Sequence, residues 1–414
     1  MAFNRSKVNV TGDAVNIVYG GQINYAHGTV SQNLDDPDPS EYTDPHDRTT
    51  LITINHSSSG ESSQTACTEG RPQCVLQSEQ RYPPPNCHPG TRTRTLEELS
   101  QWIEDDSKAT KVFWLYGSAG VGKSAIAQNL AEKYAGKKVA AAFFFSRNDS
   151  SRDKLNPFVA SIAHQLTTTD PRLRSVLGPA IVEAIRPDCN VFSKSCEHQF
   201  QQLIIKPCAK VDVTKLDGLP NTIIVDGLDE CIDHPSQARL LAMIRKVATR
   251  RISEFPIPWV FLIFSRPEPQ IRRAFSDFGA ILRSYDVNTL DDAYRDIHRY
   301  FVDRFAELRQ KHRALRHEDK SWPNHDKIYQ LAKRADKQNI FAATVIKYID
   351  TDDELPQDRL ATILCTYVER ESDSPYSDLD LLYHQILSTC RRWEKVQAVL
   401  CLLVSPHSQG KGSM

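Results

Sequence analysis

The run Gly117-Ser118-Ala119-Gly120-Val121-Gly122-Lys123-Ser124 constrains this chain more than any other stretch. Glycine, four residues, Gly-Lys, then Ser or Thr is the spacing of a turn that wraps a phosphate group. Its flanks fix the local fold. Val112-Phe113-Trp114-Leu115-Tyr116, just ahead, is continuously apolar and aromatic, as a strand buried on both faces must be. Behind it, Ile126, Ala127, Leu130, Ala131 and Tyr134 recur at helical spacing. A strand feeding a glycine-rich turn that opens a helix aims free backbone N–H groups and the positive helix end at one point. Lys123 adds a mobile cation for outer phosphates, and the Ser124 hydroxyl is a hard oxygen ligand for Mg²⁺. The loop is therefore expected to hold the phosphates of a nucleotide.

Two further segments belong with it. Ile223-Ile224-Val225-Asp226 is an apolar run closed by a carboxylate, and Gly227-Leu228-Asp229-Glu230 follows at once. An acid at the carboxyl end of a buried parallel strand lies in the crevice where such sheets bind ligands. Asp226 is expected to hold a Mg²⁺-bound water. Asp229 or Glu230, one short turn on, is expected to orient or deprotonate an attacking water. Trp259-Val260-Phe261-Leu262-Ile263-Phe264 is a second apolar strand and ends in Ser265-Arg266-Pro267-Glu268. Pro267 steers Arg266 away from helix and stops the strand. A guanidinium at that sheet edge suits phosphate oxygens, with an ordinary surface salt bridge as its alternative role.

Composition excludes several classes. Lys plus Arg (51) balance Asp plus Glu (52) over 414 residues, so no global field favours nucleic acid or an anionic membrane. No apolar run has membrane-spanning length, and MAFNRSKVNV lacks a signal-peptide core, so the expected location is cytoplasmic. Ten cysteines are scattered without a Cys-x-x-Cys pair. Cys67, Cys74 and Cys87-His88 are too irregularly spaced for a metal site, and reduced structural thiols fit better.

Residues 1–81 read as a separate N-terminal segment. Within 8–25, Val8-Asn9-Val10-Thr11-Gly12, Val15-Asn16-Ile17-Val18-Tyr19 and Ile23-Asn24-Tyr25 are short strands punctuated by Gly and Asn. They suit a small hairpin or arch, a segment that stacks between molecules, or a tail with β bias. From Asp35 to Gln80 the composition is that of a linker. Residues 82–110 form a lead-in whose helix carries Leu96, Leu99, Trp102 and Ile103 on one face. The nucleotide core is expected at 111–287, a helical domain at 288–372, and a partial winged-helix-like segment and tail at 373–414. Alternating apolar strands and amphipathic helices predict an α/β fold: a three-layer α/β/α P-loop core with a mainly parallel sheet. In the helical part, Phe301, Phe305, Leu308 and Leu315 mark one face, with Arg299, Arg304, Arg309, Lys311 and Arg313 on others. Asp303, Glu307 and Glu318 interrupt that basic face, which speaks against nucleic acid.

GSAGVGKS, IIVDGLDEC and FLIFSRPE together resemble the NACHT branch of the STAND P-loop ATPases, of the nephrocystin-3-like N-terminal type found in mushroom-forming fungi. Tyr82-Pro83-Pro84-Pro85-Asn86-Cys87-His88-Pro89-Gly90-Thr91-Arg92 is similar to that family's lead-in, and Ala140-Ala141-Ala142-Phe143-Phe144-Phe145-Ser146 to its second strand. The resemblance covers roughly residues 82–405. It implies a signalling switch that binds ATP or GTP with Mg²⁺, hydrolyses it slowly and self-associates through the core, with the N-terminal segment meeting a downstream protein. It also implies a longer relative, the present chain being truncated in its winged helix. The family's helical domain opens with a Gly-led segment; here Lys337-Gln338-Asn339 stands before Ile340, and no nucleotide contact is assigned there. A binding module that does not cycle and an ATPase motor acting on protein or nucleic acid are the alternative readings.

Overall fold

The structure, a computed structural model, describes residues 15–19, 22–26 and 83–404, apart from 213, 215–217, 251–255, 290–291, 317, 319–320, 366–376 and 389–391. Val15–Tyr19 (β1) and Gln22–Ala26 (β2) pair antiparallel, Val15 opposite Ala26 and Tyr19 opposite Gln22. This ribbon belongs to a unit of its own and has the form of a hairpin, one of the three readings open from sequence; Val8–Gly12 and the linker lie outside the described residues.

The larger unit is built on five parallel strands. They are Val112–Tyr116 (β3), Val139–Phe144 (β4), Thr222–Asp226 (β5), Val260–Ser265 (β6) and Leu282–Asp286 (β7), in the order β4-β5-β6-β3-β7. Continuous apolar runs make such strands because each face needs its own core. Trp114, Phe143, Val225 and Ile263 point into one, Leu115, Phe144, Ile224 and Leu262 into the other. The second core is closed by Thr93–Glu104 (α1), which buries Leu99, Trp102 and Ile103, and by Lys123–Tyr134 (α2). The first is covered by Asn156–Thr168 (α3), Pro171–Ile185 (α4), Cys196–Phe200 (α5), Lys206–Ala209 (α6), His234–Ala248 (α7) and Pro269–Ser276 (α8). This is the expected three-layer α/β/α arrangement.

The reading of the sequence names no strand at β7. Leu282-Arg283-Ser284-Tyr285-Asp286 is polar because it is the sheet's edge, half-buried against β3, with Arg283 paired to Glu98 of α1 at 2.6 Å.

Beyond the sheet the described chain is helical: Asp292–Lys311 (α9), His325–Arg334 (α10), Asn339–Ile349 (α11), Pro356–Cys365 (α12), Ser377–Ser388 (α13) and Trp393–Val404 (α14). Phe301, Phe305, Leu331, Phe341, Val345, Leu360 and Leu382 form a third core. The basic face of α9 is neutralised locally, Arg299 by Asp303 and Arg304 by Glu307, while Lys311 reaches Asp350. No helix among the described residues is long and apolar enough to cross a membrane.

Candidate functional site

The sheet order brings the three motifs together. β3 lies beside β6 and β6 beside β5, so the loop after β3, Arg266 after β6 and Asp226 at the end of β5 share one sheet edge. α2 starts at Lys123, and its first N–H groups have no carbonyl one turn earlier to bond. Lys123 Nζ folds back onto the carbonyls of Gly117 and Ser118, 2.9 Å from each. Burial holds its pKa below the ordinary 10.5, opposed by the negative charges of Asp229 and Asp226; Arg266 and Glu230 are also close enough to act on it. The sequence-predicted charged residues thus lie near enough to Lys123 for their charges to act on it.

The acidic residues differ in their surroundings. Asp226 and Asp229 are buried, each 4% exposed. Asp229 Oδ1 accepts the Arg266 main-chain N–H at 2.9 Å, and Oδ2 pairs with Arg266 Nε at 3.2 Å. The expected alternative for Arg266, a salt bridge, is thus present, but inside the site. Glu230 closes the short turn Leu228–Glu230 and is only partly buried. Its Oε2 accepts the Arg147 N–H at 3.2 Å. Ser124 sits in the first turn of α2. Its hydroxyl and the Asp226 carboxylate at the end of β5 are hard oxygen donors, the kind of group that could ligate Mg²⁺. Among the described residues no three His, Cys, Asp or Glu are grouped to hold a metal ion; Cys87 lines a cavity instead, and His88 pairs with Asp303 at 2.9 Å.

Beside the end of the phosphate loop lies a cavity of about 330 Å³, lined by Cys87, Arg92, Gly122, Asp296, Tyr300 and Asn339 among others. Arg92 is its central charge. It is 5% exposed and adopts a left-handed backbone at φ 55°. Its N–H donates to Asp296 Oδ2 at 2.9 Å and its Nη2 to the Val121 carbonyl at 2.7 Å. Nε and Nη1 of this buried guanidinium have no hydrogen-bond partner among the described residues. Burial lowers its pKa, and Asp296 opposes that. The Cys87 thiol beside it is pushed up to about 11 by burial and stays protonated.

The helical part touches the same loop. The Ile340 N–H donates to the Gly120 carbonyl at 3.1 Å, and Asn339 Nδ2 to the Val121 carbonyl at 2.9 Å. Gly120 has φ +75°, and a Cβ there would stand 2.3 Å from Ile340 Cγ2, so only glycine fits. Lys337, at φ 66°, holds the backbone shape that favours glycine and reaches the Asn288 carbonyl at 3.1 Å. Asn288 Oδ1 in turn accepts the Ser118 N–H and hydroxyl at 3.3 and 2.9 Å. Sequence reasoning gave 337–339 no part in the site and passed over Arg92, Asn288 and Asp296. Arg92 had one visible signal, its place in the lead-in; for Asn288 and Asp296 there was none.

Comparison with protein-family models matches residues 90–266 to Nephrocystin 3, N-terminal. The matched span runs from the lead-in through β3, the phosphate loop, β5 and the acidic turn to Arg266. A comparison with curated proteins found no match. Fold and matched region together are compatible with a P-loop type of α/β domain followed by helices.

Proposed function

We propose that this chain is a nucleotide-binding signalling switch of the NACHT branch of the STAND class, as in fungi, which takes ATP or GTP with Mg²⁺ and hydrolyses it slowly in the cytoplasm. One observation carries the reading: the order β5-β6-β3 sets Asp226, the Asp229–Arg266 pair and the glycine-rich turn that opens α2 at Lys123 at the same end of neighbouring strands. Four residue types that serve phosphoryl transfer meet where a helix end already favours an anion.

Each residue then has a role. Gly117 to Ser124 cradle the phosphates, and Lys123 exchanges two carbonyl contacts for phosphate oxygens. Ser124 and Asp226 hold Mg²⁺, which when bound neutralises charge on the outer phosphate oxygens. Glu230 is the better base of the two acids. Asp229 has both oxygens engaged by Arg266, whereas Glu230 is more exposed and engaged through one. Glu230 accepts a proton from water as the water oxygen bonds to the γ-phosphorus; the bond to the β–γ bridging oxygen breaks, leaving the diphosphate. Arg266, held through Nε, keeps its terminal nitrogens for the γ-phosphate. The cavity beside Gly122, lined in part by Arg92 and Asn339, is the space the loop offers to the rest of a nucleotide.

Switching follows from shared acceptors. The carbonyls of Gly120 and Val121 belong to the phosphate loop yet hold α11. A ligand that draws in that loop's N–H groups acts on the α11 contact through the same peptide units. Release of the helical part would free the core to self-associate. The neutralised α9 face supports no nucleic-acid role.

The test is the nucleotide that leaves the purified protein on acid denaturation, with the melting temperature in added Mg²⁺-nucleotide. An adenine or guanine nucleotide is expected. At about a hundredfold over Kd, binding adds roughly 2.7 kcal/mol, or about 5–10 °C. No released nucleotide and no shift with either triphosphate would end the reading.

A further inference from the structure

The loop after β4 bonds to both acids of the catalytic turn, and no role above uses it. Arg147 Nη2 donates to the Asp229 carbonyl at 2.9 Å, and the Arg147 N–H donates to Glu230 Oε2 at 3.2 Å. One exposed residue thus holds the main chain of the turn with its side chain and the carboxylate with its backbone.

The loop is built to keep that residue still. The Phe145 N–H donates to the Asp226 carbonyl at 2.9 Å, carrying the sheet's hydrogen bonding one residue past the strand ends. The Ser146 N–H donates to the Arg152 carbonyl at 3.1 Å, closing a ring around Arg147. Arg152 is buried, pairs with Asp149 at 2.8 Å, and donates from Nη1 to the Phe144 carbonyl at 3.4 Å. Asp149 Oδ1 also accepts the Ser151 N–H and hydroxyl at 3.0 and 2.6 Å. On the other side, Gly227 has φ +69°, and a Cβ there would meet the Phe145 carbonyl at 3.1 Å. Turn and loop pack backbone to backbone.

We propose that Arg147 is a positioning residue for Glu230: it fixes the Leu228–Glu230 turn so that the carboxylate meets the attacking water. The inference rests on Glu230 being the base. A glutamate at the end of a three-residue turn has several free torsions, and a base displaced by about 1 Å loses roughly a hundredfold in rate. The backbone N–H of Arg147 survives any substitution, so the side chain contributes the grip on the Asp229 carbonyl. One donor makes that bond, and lysine can replace it in part.

The experiment uses the full chain with Mg²⁺-ATP or Mg²⁺-GTP, whichever the protein binds, and measures turnover and nucleotide Kd separately. Arg147→Ala is expected to lower turnover about ten- to hundredfold with Kd within about twofold of wild type. Arg147→Lys is expected to restore much of the rate. Arg147→Ala added to Glu230→Gln should cost little more, because the two act as a unit. Unchanged turnover, an equal loss in Kd, or the full loss repeated on top of Glu230→Gln would overturn the inference. Wild type no faster than Glu230→Gln would instead remove the base assignment on which it stands. Should Arg147→Ala melt early, the Lys variant and the Glu230→Gln pair still decide the question.

Discussion

Asp229 gives one carboxylate oxygen to the Arg266 backbone and the other to its guanidinium, while Glu230, next in the chain, is engaged through a single oxygen. A carboxylate with both oxygens engaged has no free edge to meet a water, whereas Glu230 has one. Glu230→Gln is therefore expected to cut turnover by about 10²–10⁴-fold and leave binding intact. Asp229→Asn removes the charge that holds Arg266, and is expected to weaken triphosphate more than diphosphate in calorimetric titrations. Full turnover in Glu230→Gln would reverse these roles. Lys123 adds a pH dependence. Burial holds its pKa below 10.5, so the ammonium begins to lose its proton below that value in the free protein. Phosphate favours the charged form, so affinity should fall as pH rises toward 10.5, and Lys123→Ala should lack that fall. A wild-type affinity flat across that range would contradict the contact. Lys123 could be found from spacing alone. Arg92 could not be placed that way, because its position depends on a left-handed backbone and on Asp296, 204 positions later.

Elements with two buried faces announced themselves, since β3, β5 and β6 are near-continuous apolar runs that no other structure hides so well. β7 did not, because an edge strand keeps polar side chains, and Arg283 serves α1 instead of a core. The landing place of α11 on Gly120 is invisible in the sequence: hydrogen bonds between segments over two hundred residues apart leave no local pattern. The contact itself can be tested. In Gly120→Ala the new Cβ would press on Ile340 Cγ2 and the left-handed backbone would cost about 1–2 kcal/mol. Hydrogen exchange in α11 is expected to quicken while β3 and β6 stay protected. Unchanged protection of α11 would mean that its order does not depend on the loop. Within the sheet, Leu262→Ala should destabilise by roughly 2–5 kcal/mol, read from denaturant midpoints, because Leu262 is fully buried.

At the scale of the whole molecule, a P-loop type of core and a helical part share a phosphate loop, a cavity and the carbonyls of Gly120 and Val121. That sharing is what makes the reading a switch and not merely a binding site. On the proposed reading, ligand contacts would draw on the same few peptide units that hold α11, so neither would be free of the other. The most direct test is a calorimetric titration of Mg²⁺-ATP and Mg²⁺-GTP into nucleotide-free wild type and Lys123→Ala. The account expects saturable one-to-one binding of at least one triphosphate by wild type, and a loss of most of that affinity in Lys123→Ala. Equal binding by both proteins, or none by wild type, would contradict it.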